Sequence, residues 1–89
     1  MVSKKLIIPN PAGLHLRPIS TLCNRSIAFA SSITLKSGDK SVSAKSVIGL
    51  LSACVKNGDE IELICDGPDE QEALDILSEM IESGLGDEI

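Results

Sequence analysis

His15 is the one histidine of this chain, and it stands two residues before Arg17 in the run Asn10-Pro11-Ala12-Gly13-Leu14-His15-Leu16-Arg17-Pro18. A neutral imidazole is a nucleophile near neutral pH, and a guanidinium presents a fork of donors matched to phosphate. Together they suit a reaction in which an anionic group is attached to the ring and held there. No carboxylate flanks His15 in sequence, so none is expected beside it to act as a base. A lone imidazole builds neither a metal cage nor a two-histidine relay. Cys23, Cys54 and Cys65 are too scattered for zinc spacing, and Cys23 falls on an apolar stripe rather than beside the histidine.

Elements must hold these side chains in place. Val, Leu and Ile dominate residues 2–8, a strand ended by Pro9 and Pro11, which donate no ladder hydrogen bond. From Leu16 the period changes. Leu16, Ile19, Leu22, Cys23, Ile27 and Ala30 recur at three and four, which predicts an amphipathic helix. Pro18 belongs only in a first turn, so the helix begins near residues 15–17. His15 then lies at its N-terminal edge, where backbone N–H groups lack partners and the macrodipole is positive, a setting that binds anions. Gly13 lets the backbone turn tightly before it, so Gly13, Leu16 and Pro18 make up the phosphate-supporting loop and helix start.

Residues 32–37 and 40–44 alternate, with Ile33 and Leu35, then Val42 and Ala44, on one face, and Gly38-Asp39 joins them as a two-residue hairpin turn. Ser46 is the expected N-cap of a two-turn helix within VIGLLSAC. That helix is apolar nearly all round. Some of Val47, Ile48, Leu50 and Leu51 are therefore expected to stay exposed and to form a docking patch with Leu16 and Ser20 of the first helix. Asn57-Gly58 ends this region, and residues 60–65 alternate again through Ile61, Leu63 and Cys65. The last helix is expected to carry Pro68 at N1, Asp69 and Glu70 in its first turn, a buried stripe of Ala73, Leu74, Leu77, Met80 and Ile81, and Gly84 as its C′ stop. The order β-α-β-β-α-β-α predicts an α+β fold, a four-stranded antiparallel sheet covered on one face by three helices, with residues 1–89 forming one domain.

Composition narrows the function. Eight Lys and Arg face thirteen Asp and Glu, and a net charge of −5 argues against nucleic acid or an anionic membrane as partner. With Phe29 as the single aromatic, base stacking has almost nothing to use. The opening MVSKKLIIP is too short for a signal-peptide core, and no apolar stretch approaches the roughly 20 residues of a membrane helix. Three scattered cysteines read as small hydrophobes in a reducing compartment, so a cytoplasmic protein is expected, without metal and without membrane insertion.

Asn10, Gly13, Leu14, His15, Arg17 and Pro18 together resemble the signature N-x-x-G-L-H-x-R-P of the HPr family, histidine-containing phosphocarriers of the bacterial phosphoenolpyruvate-dependent phosphotransferase system. The likeness continues through KSVSAKSVIGLLS, NGDEIEL and GPDEQEAL, and so covers essentially the whole chain. It implies an open-faced β-sandwich and a carrier rather than a free-standing enzyme, with no cofactor. His15 would accept a phosphoryl group on Nδ1 from enzyme I and pass it to the IIA component of a sugar permease, with Arg17 stabilising the phosphohistidine. Leu16 and Ile19 depart from the alanines of the commoner H-A-R-P-A, which bears on partner preference.

The context Lys45-Ser46-Val47-Ile48-Gly49 resembles that of the serine phosphorylated by the ATP-dependent HPr kinase/phosphorylase in low-GC Gram-positive bacteria. It implies carbon catabolite regulation, with that kinase and a catabolite-control transcription factor as further partners. The same S-V-I-x-L-L run and helix start also resemble carriers of the nitrogen-type branch, while Lys45 and Gly49 favour the sugar branch. Two other classes stay open: a purely regulatory HPr-like binding protein, and a small-ligand-sensing α/β domain. A carrier that presents one face to successive partners is expected to be monomeric.

Overall fold

A computed structural model of the chain describes residues 1–87. The alternating segments form strands β1 (Val2–Ile7), β2 (Ser32–Ser37), β3 (Lys40–Ser43) and β4 (Glu60–Asp66). They pair antiparallel in the order β1-β4-β2-β3. Helices α1 (Leu16–Ile27), α2 (Val47–Ser52) and α3 (Glu70–Glu82) lie on one side, giving the open-faced α+β sandwich expected from the sequence.

Register decides which face the helices cover. Leu6 stands opposite Ile61, Leu35 opposite both Leu63 and Val42, and Ile33 opposite Cys65. Against this row pack Ile19 and Leu22 from α1, Leu50 from α2, and Leu77 and Ile81 from α3, all of them fully buried. Each such side chain contributes about 1.5–3 kcal/mol by leaving water. A one-residue slip would turn the whole set outward. On the open face Lys5, Glu62 and Lys36 form a row of alternating charge across three strands. Among the described residues, no helix is long and apolar enough to cross a membrane.

Three details differ from the sequence pattern. In α1 the buried face is Pro18, Ile19, Leu22, Cys23 and Ser26, while Leu16 and Ile27 are exposed and Ala30 lies exposed beyond the helix. At 3.6 residues per turn, Leu16 and Ile27 sit roughly a quarter-turn or more from the centre of that face. Cys54 is exposed rather than buried like Cys23 and Cys65, because it follows the C-cap of α2 in the left-handed region, at φ 51.

The third concerns the start of α3. Pro68 lies outside the helix, because Asp69 rather than Gly67 is the N-cap, with φ −115 and ψ 27. The Asp69 carboxylate is drawn across to the start of β2, where it accepts from the backbone N–H groups of Ala30 and Ser31, each at 2.9 Å, and from the Ser31 hydroxyl. Glu70 reaches back instead and accepts from the Gly67 N–H at 3.2 Å. The other end follows the sequence reading. Gly84, at φ 91, donates to the Ile81 carbonyl, and Leu85 to that of Met80, a Schellman closure in which Leu85 is buried.

These donors, the Ser31 hydroxyl first and then the Ala30 N–H, hold the Asp69 carboxyl below the usual carboxylate range. The unfolded chain then binds the extra proton in acid, so the stability Asp69 supplies is present at neutral pH and is lost as the pH falls through its folded-state value. Asp69→Asn is expected to lower the melting temperature at pH 7 and to make its decline below about pH 5 shallower. Thermal melts across that range check this, and parallel curves for the two proteins would contradict it.

Candidate functional site

The chain leaves β1 into a loop that a second loop clamps. The Ile8 N–H donates to the Asp59 carbonyl at 3.0 Å, the Gly58 N–H to the Ile8 carbonyl at 2.9 Å, and the Leu14 N–H to the Val55 carbonyl at 3.0 Å. A further turn closes within the first loop, where the Gly13 N–H reaches the Asn10 carbonyl at 2.9 Å. Gly13 is required twice over. Its φ is +70, and a Cβ there would lie 2.6 Å from the Val55 oxygen and 2.9 Å from the Lys56 Cα.

Two residues later His15 is the N-cap of α1, in extended conformation at φ −88 and ψ −176. Its carbonyl accepts the Ile19 N–H at 3.1 Å, but its side chain does not cap the helix. Pro18 occupies the third helical position, where the missing N–H is no loss. The amides of Leu16 and Arg17 have no acceptor among the described residues, and Arg17 is exposed beside them. An open helix start and a permanent cation thus meet at a ring whose side chain is 44% exposed.

The ring does have a carboxylate neighbour, contrary to the sequence expectation. His15 Nε2 lies 3.0 Å from Asp87 Oδ2, across 72 positions of sequence. Asp87 arrives there because the Schellman closure of α3 turns the chain back. Its N–H donates to the Gly84 carbonyl at 3.0 Å. Asn10, fully buried, donates through Nδ2 to the Gly84 carbonyl at 2.9 Å and to Asp87 Oδ2 at 3.0 Å. The Asn10 amide above all, followed by His15 and the charge of Arg17, holds the Asp87 carboxyl below its ordinary range, against the opposing effect of burial. Sequence reasoning missed Asp87 because no local period links it to His15. The one hint is Gly84 and Gly86 bracketing an apolar Leu85.

Ser46 is the N-cap of α2, as expected, and its Oγ accepts the Gly49 N–H at 3.0 Å. Lys45 points away, donating through Nζ to the Phe29 carbonyl at 2.7 Å. Ile48 is 80% exposed, Leu16 58% and Leu51 44%, whereas Val47 and Ser20 are half-buried and Leu50 is buried. Since α1 and α2 pack together, the three exposed side chains stand on adjoining elements. Among the described residues, no hydrogen bond joins Ser46 to His15 or Arg17.

Residues 2–83 match the family model for the PTS HPr component phosphorylation site. The chain is 40% identical over 83 residues to phosphocarrier protein HPr of Borreliella burgdorferi, covering 93% of this chain and 96% of that one. It is 38% identical over 82 residues to the HPr-like protein Crh of Bacillus subtilis, covering 92% and 96%. The crystal structure of an HPr from Thermoanaerobacter tengcongensis superposes with a TM-score of 0.94 at 36% identity, covering all of both chains. A further relative is much longer. To DhaM, the phosphoryl donor subunit of a PEP-dependent dihydroxyacetone kinase of Providencia stuartii, the chain is 32% identical, but it covers 17% of that protein.

Gly13→Ala combines a disfavoured dihedral with a backbone clash. It is expected to destabilise the fold by about 2–4 kcal/mol, read from the urea midpoint at unchanged slope.

Proposed function

This chain belongs to the HPr family of phosphocarriers, and on that premise we propose that it takes a phosphoryl group onto His15 from phosphorylated enzyme I and passes it to the IIA component of a sugar permease. The observation that carries this reading is the start of α1, where a half-exposed imidazole, two backbone amides without an acceptor among the described residues and the exposed Arg17 are neighbours. In acceptance the ring's Nδ1 lone pair forms the bond to phosphorus as the bond to the donor breaks and its electron pair leaves with the donor. Donation to the acceptor runs the same exchange outward. The guanidinium and the helix dipole stabilise the anionic group in flight without bonding to it covalently.

Leu16, next to His15 in the chain, and Ile48 and Leu51 on the adjoining helix give successive partners an exposed apolar rim. Ser46 lies at the start of the helix that supplies two of these side chains, and its hydroxyl oxygen already accepts a backbone N–H. Phosphorylation there by an ATP-dependent HPr kinase/phosphorylase would leave the fold intact, since a helix start tolerates negative charge. Nearly two added charges at the rim would disfavour docking of an acidic or apolar partner face. The sugar branch is favoured over the nitrogen branch by Lys45 and Gly49. A purely regulatory role, the alternative raised by the likeness to Crh, a catabolite repression HPr of Bacillus subtilis, would give phosphorylation of Ser46 without transfer at His15.

With phosphoenolpyruvate and enzyme I the purified protein is expected to gain one acid-labile, base-stable phosphoryl group. His15→Ala abolishes it, and Arg17→Ala slows transfer about 100-fold. Absence of labelling in the unaltered protein would refute the carrier reading. Ser46→Asp keeps an N-cap oxygen while adding charge, and is expected to slow acceptance from enzyme I by about tenfold or more. Unchanged kinetics would remove the regulatory proposal.

A further inference from the structure

Building on the carrier reading, we propose that Asp87 is a positioning residue for phosphoryl transfer: its carboxylate fixes the neutral His15 ring as the Nε2–H tautomer and so leaves the Nδ1 lone pair as the nucleophile. An ionised carboxylate only accepts hydrogen bonds, so the 3.0 Å contact requires the ring proton on Nε2. Burial holds Asp87 in place, and Asn10 keeps it ionised in spite of that burial. Its side chain is 13% exposed against 44% for the histidine, so it lies largely behind the ring. Asn10 donates to it from a fully buried position.

The orientation of the Asn10 amide is itself determined. Both of its partners, the Gly84 carbonyl and the Asp87 carboxylate, are acceptors, so the NH2 group must face them. Among the described residues, this leaves the buried Asn10 Oδ1 without a partner. An unpaired buried acceptor is destabilising, which an apolar residue at the same place would avoid. Its presence fits an amide retained to hold the C-terminal segment against the ring.

The arrangement has a defined consequence for transfer. As Nδ1 bonds to phosphorus and the donor bond breaks, the ring gains positive character, while its proton stays on Nε2, shared with Asp87. No proton enters or leaves. When the N–P bond breaks toward the acceptor, its electron pair returns to Nδ1, and the same contact restores the starting tautomer. The carboxylate never touches the phosphoryl group, so it acts through the imidazole alone.

The test compares the full-length protein with Asp87→Ala. In the free protein, the 15N shifts of the neutral His15 ring should be those of a single Nε2–H form, moving toward a tautomer average in the variant. In phosphorylation by enzyme I, the maximal rate should fall about tenfold or more while KM for the carrier stays unchanged, because Asp87 lies behind the ring and not on the rim. Ring shifts that do not respond to the substitution overturn the inference. So does an unchanged maximal rate with an active unaltered protein. The shifts need no partner. A protein that shows the tautomer change but never accepts a phosphoryl group refutes the carrier reading separately.

Discussion

The site depends on one close approach of backbone to backbone. Gly13 sits against the Val55 carbonyl and the Lys56 Cα with no room for a Cβ, and the adjoining Leu14 N–H bonds to that same carbonyl. The start of α1 is thereby mounted on the segment that leaves α2. Ala53 and Val55 in that segment are buried, and Cys54 between them takes a left-handed conformation. Leu16, Ile48 and Leu51 therefore stand on a common footing. A partner meets a surface already assembled, so little ordering entropy opposes docking.

The electrostatics are local rather than global. The chain carries a net charge of −5, yet the α1 start offers the positive end of a twelve-residue helix and the guanidinium of Arg17. A carboxylate beside such a point would cancel much of its attraction for phosphate if it faced the same solvent. Asp87 is instead largely withdrawn behind the imidazole and tied to Asn10. Its Oδ2 oxygen is engaged by the ring at Nε2 and by the Asn10 amide, so the charge is spent on those two contacts.

Much of this fold is written in local patterns. Alternation at Ile33 and Leu35, and at Ile61, Leu63 and Cys65, marks strand faces that the structure buries, and Gly38-Asp39 marks the turn that sets Ser37 opposite Lys40. Pro18 places the start of α1 and Ser46 that of α2, because both act within a single helical turn. Local rules failed where a distant group competed. Asp69 stays outside the helical region because Ala30 and Ser31 claim its carboxylate. Leu16 and Ile27 have helical spacing yet face solvent, since the neighbouring elements cover only the side centred on Ile19, Leu22 and Ser26. At the site, His15, Gly13 and Arg17 are legible together because they are adjacent in sequence. Asp87 is not, for its place depends on how α3 ends.

That ending imposes an order in time. Residues 10–17 leave the ribosome early, when the imidazole has nothing on its Nε2 side. The ring gains its carboxylate only after Leu85 is seated and the backbone has turned back through Gly84, some 70 residues later in synthesis. Until then a nascent chain displays the motif without its support, and its histidine is an ordinary imidazole at the edge of an unfinished helix.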